Sequence, residues 1–280
     1  MSRKDRTSAP PAGTFRLLRI LVLLLVLLAV ALSTCQESYR STRWREPLFV
    51  AIYPIAADDS PVTRTFVAGL DAERFKAIDQ FFMREALRYR LHLDEPVRTR
   101  LRAPLNERPP QREANAGMLA TALWSLRLRY WAFRVSGRVS EPEDVRLFVL
   151  FHDPASTPSV PHSLGLRKGL IGVVYAFAAP EMNGANDMVM AHELLHTLGA
   201  TDKYDPASDA PRFPEGYGDP RQVPLYPQQF AELMAGRRMT SPTHWEQPDG
   251  LDDCVIGRAT ALEIRWPLPA DWSGGNARAR

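Results

Sequence analysis

Cysteine is nearly missing from this sequence, with two in 280 residues. That scarcity excludes a disulfide-stapled scaffold and an all-thiolate metal site. The chain also has no glycine-rich phosphate loop, no nucleophile elbow and no cysteine close in sequence to a histidine, so phosphate-cradling, serine-hydrolase and thiol chemistries lack their local signatures. Internal repeats are absent, and no low-complexity tract lies beyond the amino terminus, which excludes solenoids and arrays.

What is present is globular. The chain is 45% hydrophobic, 9% aromatic and 24% charged, a balance that argues against disorder, collagen and a polytopic membrane protein. The formal net charge of +3 is confined to one end. Residues 1–45 carry eight of the 35 basic and two of the 32 acidic residues, leaving 27 basic against 30 acidic residues in the rest. A slightly acidic domain gives no reason to expect a nucleic-acid partner.

The basic end has its own explanation. Arg3, Lys4, Arg6, Arg16 and Arg19 precede an apolar run from Ile20 to Leu32, the pattern of a signal sequence or signal anchor. Phe15, Leu17 and Leu18 lengthen the run if Arg16 and Arg19 snorkel, so a single membrane anchor with its basic end in the cytoplasm is the preferred reading. Lipidation at Cys35, within a sequence resembling a lipoprotein box, and simple secretion are the alternatives. Each places the domain outside the cytoplasm, in a bacterium on the periplasmic or outer side. Residues 1–34 are then tail and anchor, 35–46 a linker, 47–270 one folded domain and 271–280 a tail. Cys254, the one cysteine inside the domain, reads as a small buried residue.

Along the domain, Leu48 to Ile55 and Val145 to Phe151 are continuous apolar runs of buried-strand length, and Leu170 to Ala178 is a third. Val97 to Leu105 is a weaker strand. Apolar spacing of three and four predicts a helix from about Leu70 to Leu91, and another whose core face is Leu119, Leu123, Leu126, Tyr130 and Phe133, widened by Trp124 and Trp131. Residues 153–168 read as a surface loop. A third helix opens near Asn186 or Asp187 and ends at Gly199. Residues 202–228 read as a long ordered loop held by something other than a core of its own, and a last helix spans Leu251 to Arg265. The fold class is α/β (α+β), a mixed sheet with one core, followed by a small irregular C-terminal part that ends in a helix.

The chemistry is concentrated in His192-Glu193-Leu194-Leu195-His196-Thr197-Leu198-Gly199-Ala200-Thr201-Asp202. Residues four apart share a helix face, so His192 and His196 can offer two imidazole nitrogens to one cation. Glu193 lies beside that pair rather than between its members, which suits a general base acting on a metal-activated water. Gly199 is placed to end the helix in a left-handed turn. Asp202, three residues on, can then return as a third ligand.

These residues resemble the extended zinc signature HExxHxxGxxH of the metzincin metallopeptidases, with Asp202 in place of the last histidine, as in the snapalysin-type proteases. The resemblance implies a zinc-dependent endopeptidase in which His192, His196 and Asp202 bind one catalytic zinc and Glu193 is the base. It also implies a methionine-containing turn beneath the metal, for which Met234 in Ala231 to Gly236 is the best match and Met239 a weaker one. It further implies that the last strand before the active-site helix, 170–178 here, is an antiparallel edge that holds a protein or peptide substrate extended. Some metzincins carry a tyrosine two residues past the methionine; Gly236 stands there, and Tyr204 is the substitute to consider.

His244 is a fallback third ligand. Asp205, Asp209, Asp249, Asp252 and Asp253 are candidate calcium ligands, with solvated loop acids as the ordinary reading. Two alternatives to a general endopeptidase stand: a zinc hydrolase with a single dedicated substrate, and a metal-stabilised envelope interaction module without turnover.

Overall fold

The computed structural model describes residues 42–112, 117–137, 141–167 and 169–269, together with Arg19 and Leu21. Apart from those two residues, the anchor or signal expected in 1–34 lies outside them, as do Cys35 and the tail 271–280. Among the described residues, no helix is long and apolar enough to cross a membrane.

The fold is mixed α/β, built on a five-stranded sheet. Its strands are β1 (Leu48–Ala56), β2 (Val97–Leu101), β3 (Val145–His152), β4 (Leu164–Leu166) and β5 (Ile171–Phe177), in the spatial order β2-β1-β3-β5-β4. The first four in that order are parallel, and β4 runs antiparallel to β5 through the pairs Leu164 with Val173, Gly165 with Gly172 and Leu166 with Ile171. The unbroken apolar runs of β1 and β3 follow from coverage of both sheet faces. Val50, Ile52, Leu147, Val149 and Phe151 join one core cluster, whereas Ala51, Tyr53, Ile55, Phe148 and Leu150 join the other.

Among the described residues, five helices surround the sheet: α1 (Pro61–Ala68), α2 (Lys76–Arg88), α3 (Met118–Ser136), α4 (Asn183–Leu198) and α5 (Arg258–Glu263). The first of them is unforeseen by apolar spacing. It is fixed by Pro61 at its start and by Ser60, whose hydroxyl accepts from the Val62 N–H. Helices α2 and α4 share the larger core, with Phe75, Phe81, Phe82, Leu194, Leu195 and Leu198 buried in it. Burying each such side chain stabilises the fold by roughly 1.5–3 kcal/mol before entropy is counted.

Helix α3 covers the opposite face, but not with the face that its spacing suggests. Trp124, Leu128, Trp131 and Ala132 pack on the sheet, with Trp131 edge-on to Phe148 at 4.6 Å. Leu119, Leu123, Leu126, Tyr130 and Phe133, expected in the core, are 57–82% exposed. The helix is apolar on both sides, and spacing alone does not say which one meets the sheet.

Three further expectations are corrected. Strand β5, expected within 170–178 as the antiparallel edge, lies inside the sheet between β3 and β4, so the antiparallel edge is β4, in what reads as loop from sequence. The last helix is short. Residues 251–253 form a 3-10 turn, and Cys254 and Val255 form β9, which pairs with β6 (Ala231–Glu232), leaving only α5 helical. Trp44, within the expected linker, is buried against Trp266 and donates its indole N–H to the Ile264 carbonyl at 2.8 Å.

Candidate metal centre

Helix α4 carries the site and is fixed at both ends. It opens at Asn183, after a 3-10 turn over 180–182, rather than at Asn186 or Asp187. Asn186 serves instead as a tie to β5, accepting from the Phe177 N–H at 3.0 Å and donating to the Phe177 carbonyl at 2.9 Å. Asp187 pairs with Arg74 at 2.7 Å. At the other end Gly199 takes φ 107°, in the left-handed region, and the chain turns back so that Ala200 N–H reaches the Leu195 carbonyl at 3.0 Å.

That turn delivers Asp202 to the two histidines. The Nε2 atoms of His192 and His196 each lie 3.2 Å from the same oxygen, Asp202 Oδ1, with the imidazole rings 4.6 Å apart and nearly perpendicular. Their other nitrogens face backbone carbonyls: His192 Nδ1 is 3.0 Å from the Leu233 oxygen, and His196 Nδ1 is 2.9 Å from the Ala200 oxygen. A carbonyl can only accept, so each Nδ1 carries a proton; each Nε2 faces Asp202, donating to it when the ring is protonated and free to turn a lone pair to a metal ion when the ring is neutral. This is the tautomer and orientation that metal-ligating histidines need. Two imidazoles and a carboxylate are a donor set suited to zinc.

Glu193 stands beside the three. Its ligand-capable atoms and those of His192 and His196 lie within 4.8 Å of one another. Asp202 Oδ1 lies 3.2 Å from both imidazoles on a side chain more open to solvent than that of Glu193, so Asp202 can serve as a third ligand with Glu193 adjacent. The Glu193 residue is 5% exposed, and its Oε2 is buried without a hydrogen-bond partner among the described residues. Burial pushes its pKa up, against the lowering influence of His192 and His196. Burial acts the same way on Asp202, but hydrogen bonds from the two histidines outweigh it and hold that carboxyl well below the usual range.

Several supporting residues escape sequence reasoning. Thr201 and Lys203, on either side of Asp202, are both clamped to Glu263. The Thr201 N–H donates to Glu263 at 2.9 Å and the buried Lys203 ammonium at 2.7 Å, and Lys203 also donates to the Thr201 carbonyl at 2.7 Å. No local spacing announces a partner sixty residues away. Gly165 of β4 lies directly over α4. A glycine between two leucines is the one local sign of such a close approach.

Met234 is fully buried in the turn that follows β6. The turn meets the site at both sides of the methionine: the Leu233 carbonyl faces His192, and the Met234 carbonyl accepts from the Lys203 N–H at 3.0 Å. Below it Glu232 is fully buried, accepting from Ala235 N–H, Gly257 N–H and the Thr260 hydroxyl. Met239 is also buried, in β7 (Arg238–Met239), which pairs with β8 (Trp245–Glu246).

A cleft of about 750 Å³ opens over the site. It is lined by residues 158–165, by the two histidines, Glu193 and Asp202, and by Tyr204, Arg237 and Gln247 among others. His162 lines it, although nothing in the sequence distinguishes it from the other single histidines. His244 does not line it; it is exposed and bonded to Ser241 and Thr243. The five acids considered for calcium do not gather. Asp209 pairs with Arg237 and Asp252 with Arg84, and none of the five belongs to the group His192, Glu193 and His196, whose ligand atoms have metal-holding spacing.

No known family model matches this chain, and no curated protein matches it.

Proposed function

We propose that this chain is a zinc-dependent endopeptidase of the metzincin type, carried by its N-terminal segment on the extracytoplasmic side of a membrane. One observation carries the reading. Two imidazoles four residues apart point Nε2 at one carboxylate oxygen, each with its Nδ1 proton already taken by a backbone carbonyl. His192, His196 and Asp202 would hold the ion. Zinc bound by three protein ligands with one open position supplies Lewis acidity to a scissile carbonyl and acidifies a water.

The remaining work falls to the chain. Glu193 has a buried, unpartnered Oε2 within reach of the histidines, where it accepts the water proton and later delivers it to the leaving amine nitrogen. Strand β4 borders the cleft with its outer edge unpaired in the sheet, so an extended peptide can add to it by backbone hydrogen bonds. A cleft of this size above a buried carboxylate whose Oε2 has no hydrogen-bond partner among the described residues favours turnover over a silent interaction module.

The test uses the full chain. Elemental analysis is expected to find about one zinc per chain, lost in His196→Ala. Glu193→Gln is expected to keep the zinc while cleavage of an unstructured protein substrate falls by about 10²–10⁴-fold. Folded wild-type protein that binds no metal, or a Glu193→Gln variant with undiminished cleavage, would overturn the proposal.

A further inference from the structure

Helix α3 is apolar on two opposite sides, and only one of them is covered. At about 100° per residue, Leu119, Leu123, Leu126, Tyr130 and Phe133 fall within a stripe about 80° wide, diametrically opposite Leu128. All five are more than half exposed. An unbroken apolar strip along a helix about 28 Å long is more than the scattered surface leucines of a soluble monomer.

The charged residues of the helix itself are of one sign. Residues 118–136 contain Arg127, Arg129 and Arg134 and no aspartate, glutamate or lysine. Arg127 and Arg134 lie on one side of the stripe and Arg129 on the other, each about 60–80° from its centre. Arg134 is also paired with Glu107, and the Nε of Arg129 is buried, so Arg127 is the most open of the three. Aromatic and leucine side chains framed by arginines on a helix too charged to span a bilayer are the chemistry of an interfacial helix. Its apolar side chains enter the boundary of the acyl chains, and its guanidinium groups meet the headgroups.

The geometry points to α3 as a second membrane contact: its outer face lies on an anionic lipid surface. Two observations favour that occupant over a second copy of the chain. Pairing this stripe with itself about a two-fold axis would bring arginine flanks together, whereas anionic headgroups attract them. The nine residues 33–41 between the apolar N-terminal run and the folded domain span at most about 32 Å when extended. A domain held that close to a bilayer must turn some face toward it, and among the described residues α3 supplies a face with matching chemistry. The site lies across the sheet from α3, because α4 packs on the other face. The cleft therefore opens toward the aqueous phase, and substrates come from there rather than from the lipid. This inference rests on the outer-face anchoring proposed above and not on the hydrolytic step.

The test uses full-length chain carrying Cys35→Ser, in which the remaining Cys254 is buried. An environment-sensitive nitrobenzoxadiazole label is attached at Leu126→Cys, in a second variant at Tyr130→Cys, and in a reference variant at the exposed Ser208→Cys. Each is reconstituted into vesicles of phosphatidylcholine with phosphatidylglycerol and, separately, of phosphatidylcholine alone. Co-flotation reports the anchor; nitroxide-lipid and iodide quenching report the face.

The expected result is that labels at 126 and 130 are quenched by nitroxide lipid and shielded from iodide in the anionic vesicles, while the label at 208 stays in water. Arg127→Glu is expected to lower lipid contact at 126 by at least about fivefold, the factor equivalent to about 1 kcal/mol per basic residue at an anionic surface. Co-flotation with labels at 126 and 130 in water overturns the inference and leaves the anchor standing. Failure to float overturns both. Shielding that rises with protein density and is untouched by nitroxide lipid overturns it in favour of a second copy.

Discussion

Gly165 sits against Glu193 so closely that a Cβ at 165 would lie 2.6 Å from the Glu193 carbonyl oxygen and 3.2 Å from its Oε2, as well as 2.5 Å from the Cβ of His196. The two nearest of these atoms are the His196 Cβ and a backbone carbonyl of α4, which cannot swing aside. Gly165→Ala is therefore expected to push β4 off the helix, at a cost of about 1–3 kcal/mol in stability. Because β4 borders the cleft, cleavage should fall further than the lost stability explains. Denaturant unfolding alongside steady-state cleavage checks this; an alanine variant equal to wild type in both would mean that β4 does not approach the helix in solution.

Asp202 owes its position to its neighbours. Lys203 is buried and reaches Glu263 and the Thr201 carbonyl, while Thr201 bonds the same glutamate, so the segment that carries the carboxylate is held at both sides. Residues that position a metal ligand typically contribute 10–100-fold in metal affinity when removed. Lys203→Met is expected to weaken zinc binding by about that factor, measured by competition with a chromophoric chelator, while Asp202→Ala weakens it more. Equal affinities for wild type and Lys203→Met would assign the clamp to folding alone.

These two pairs mark the limit of what the sequence discloses. The His192, Glu193, His196, Gly199 and Asp202 arrangement is legible because one helix and its left-handed end determine it locally. Gly165, Lys203 and Glu263 reach the site from other elements, and β4 is a three-residue strand that exists through its pairing with β5. The C-terminal helix is misjudged for the same reason: Cys254 and Val255 fit a helical spacing but pair with Ala231 and Glu232, and the non-local ladder overrides the local preference. In α3 the periodicity is right and the buried side is wrong, since two apolar stripes compete and only tertiary contact chooses.

That choice is directly measurable. Leu128 is fully buried between α3 and the sheet, and Leu126, two residues earlier, is 59% exposed. Leu128→Ala is expected to cost about 2–5 kcal/mol through lost burial and the cavity it leaves. Leu126→Ala, away from any packed contact, should remain within about 0.5 kcal/mol of wild type. Reversal of the two values in denaturant unfolding would turn the helix over and return its stripe to the core.

Asp79, on α2, links stability to pH. Its carboxylate accepts from the Thr99 N–H at 2.8 Å and from the Thr99 hydroxyl at 3.1 Å. Burial raises its pKa from 3.8 to about 6, outweighing the opposite pull of those hydrogen bonds. The folded state thus holds this proton more tightly than the unfolded state. Between pH 3.8 and about 6 the native chain binds more protons at this group, so its contribution to stability falls as pH rises through that window and is level above it. Partial solvent screening limits the effect to about 1–2 kcal/mol. Asp79→Asn keeps an acceptor for the Thr99 N–H and removes the titration. Unfolding free energies at pH 4, 5, 6 and 7 should accordingly show a shallower decline over the window in the variant than in wild type. A wild-type chain that instead gains more stability than the variant as pH rises from 4 to 6 would show that the Thr99 hydrogen bonds outweigh burial and that Asp79 folds as an easily ionised carboxylate.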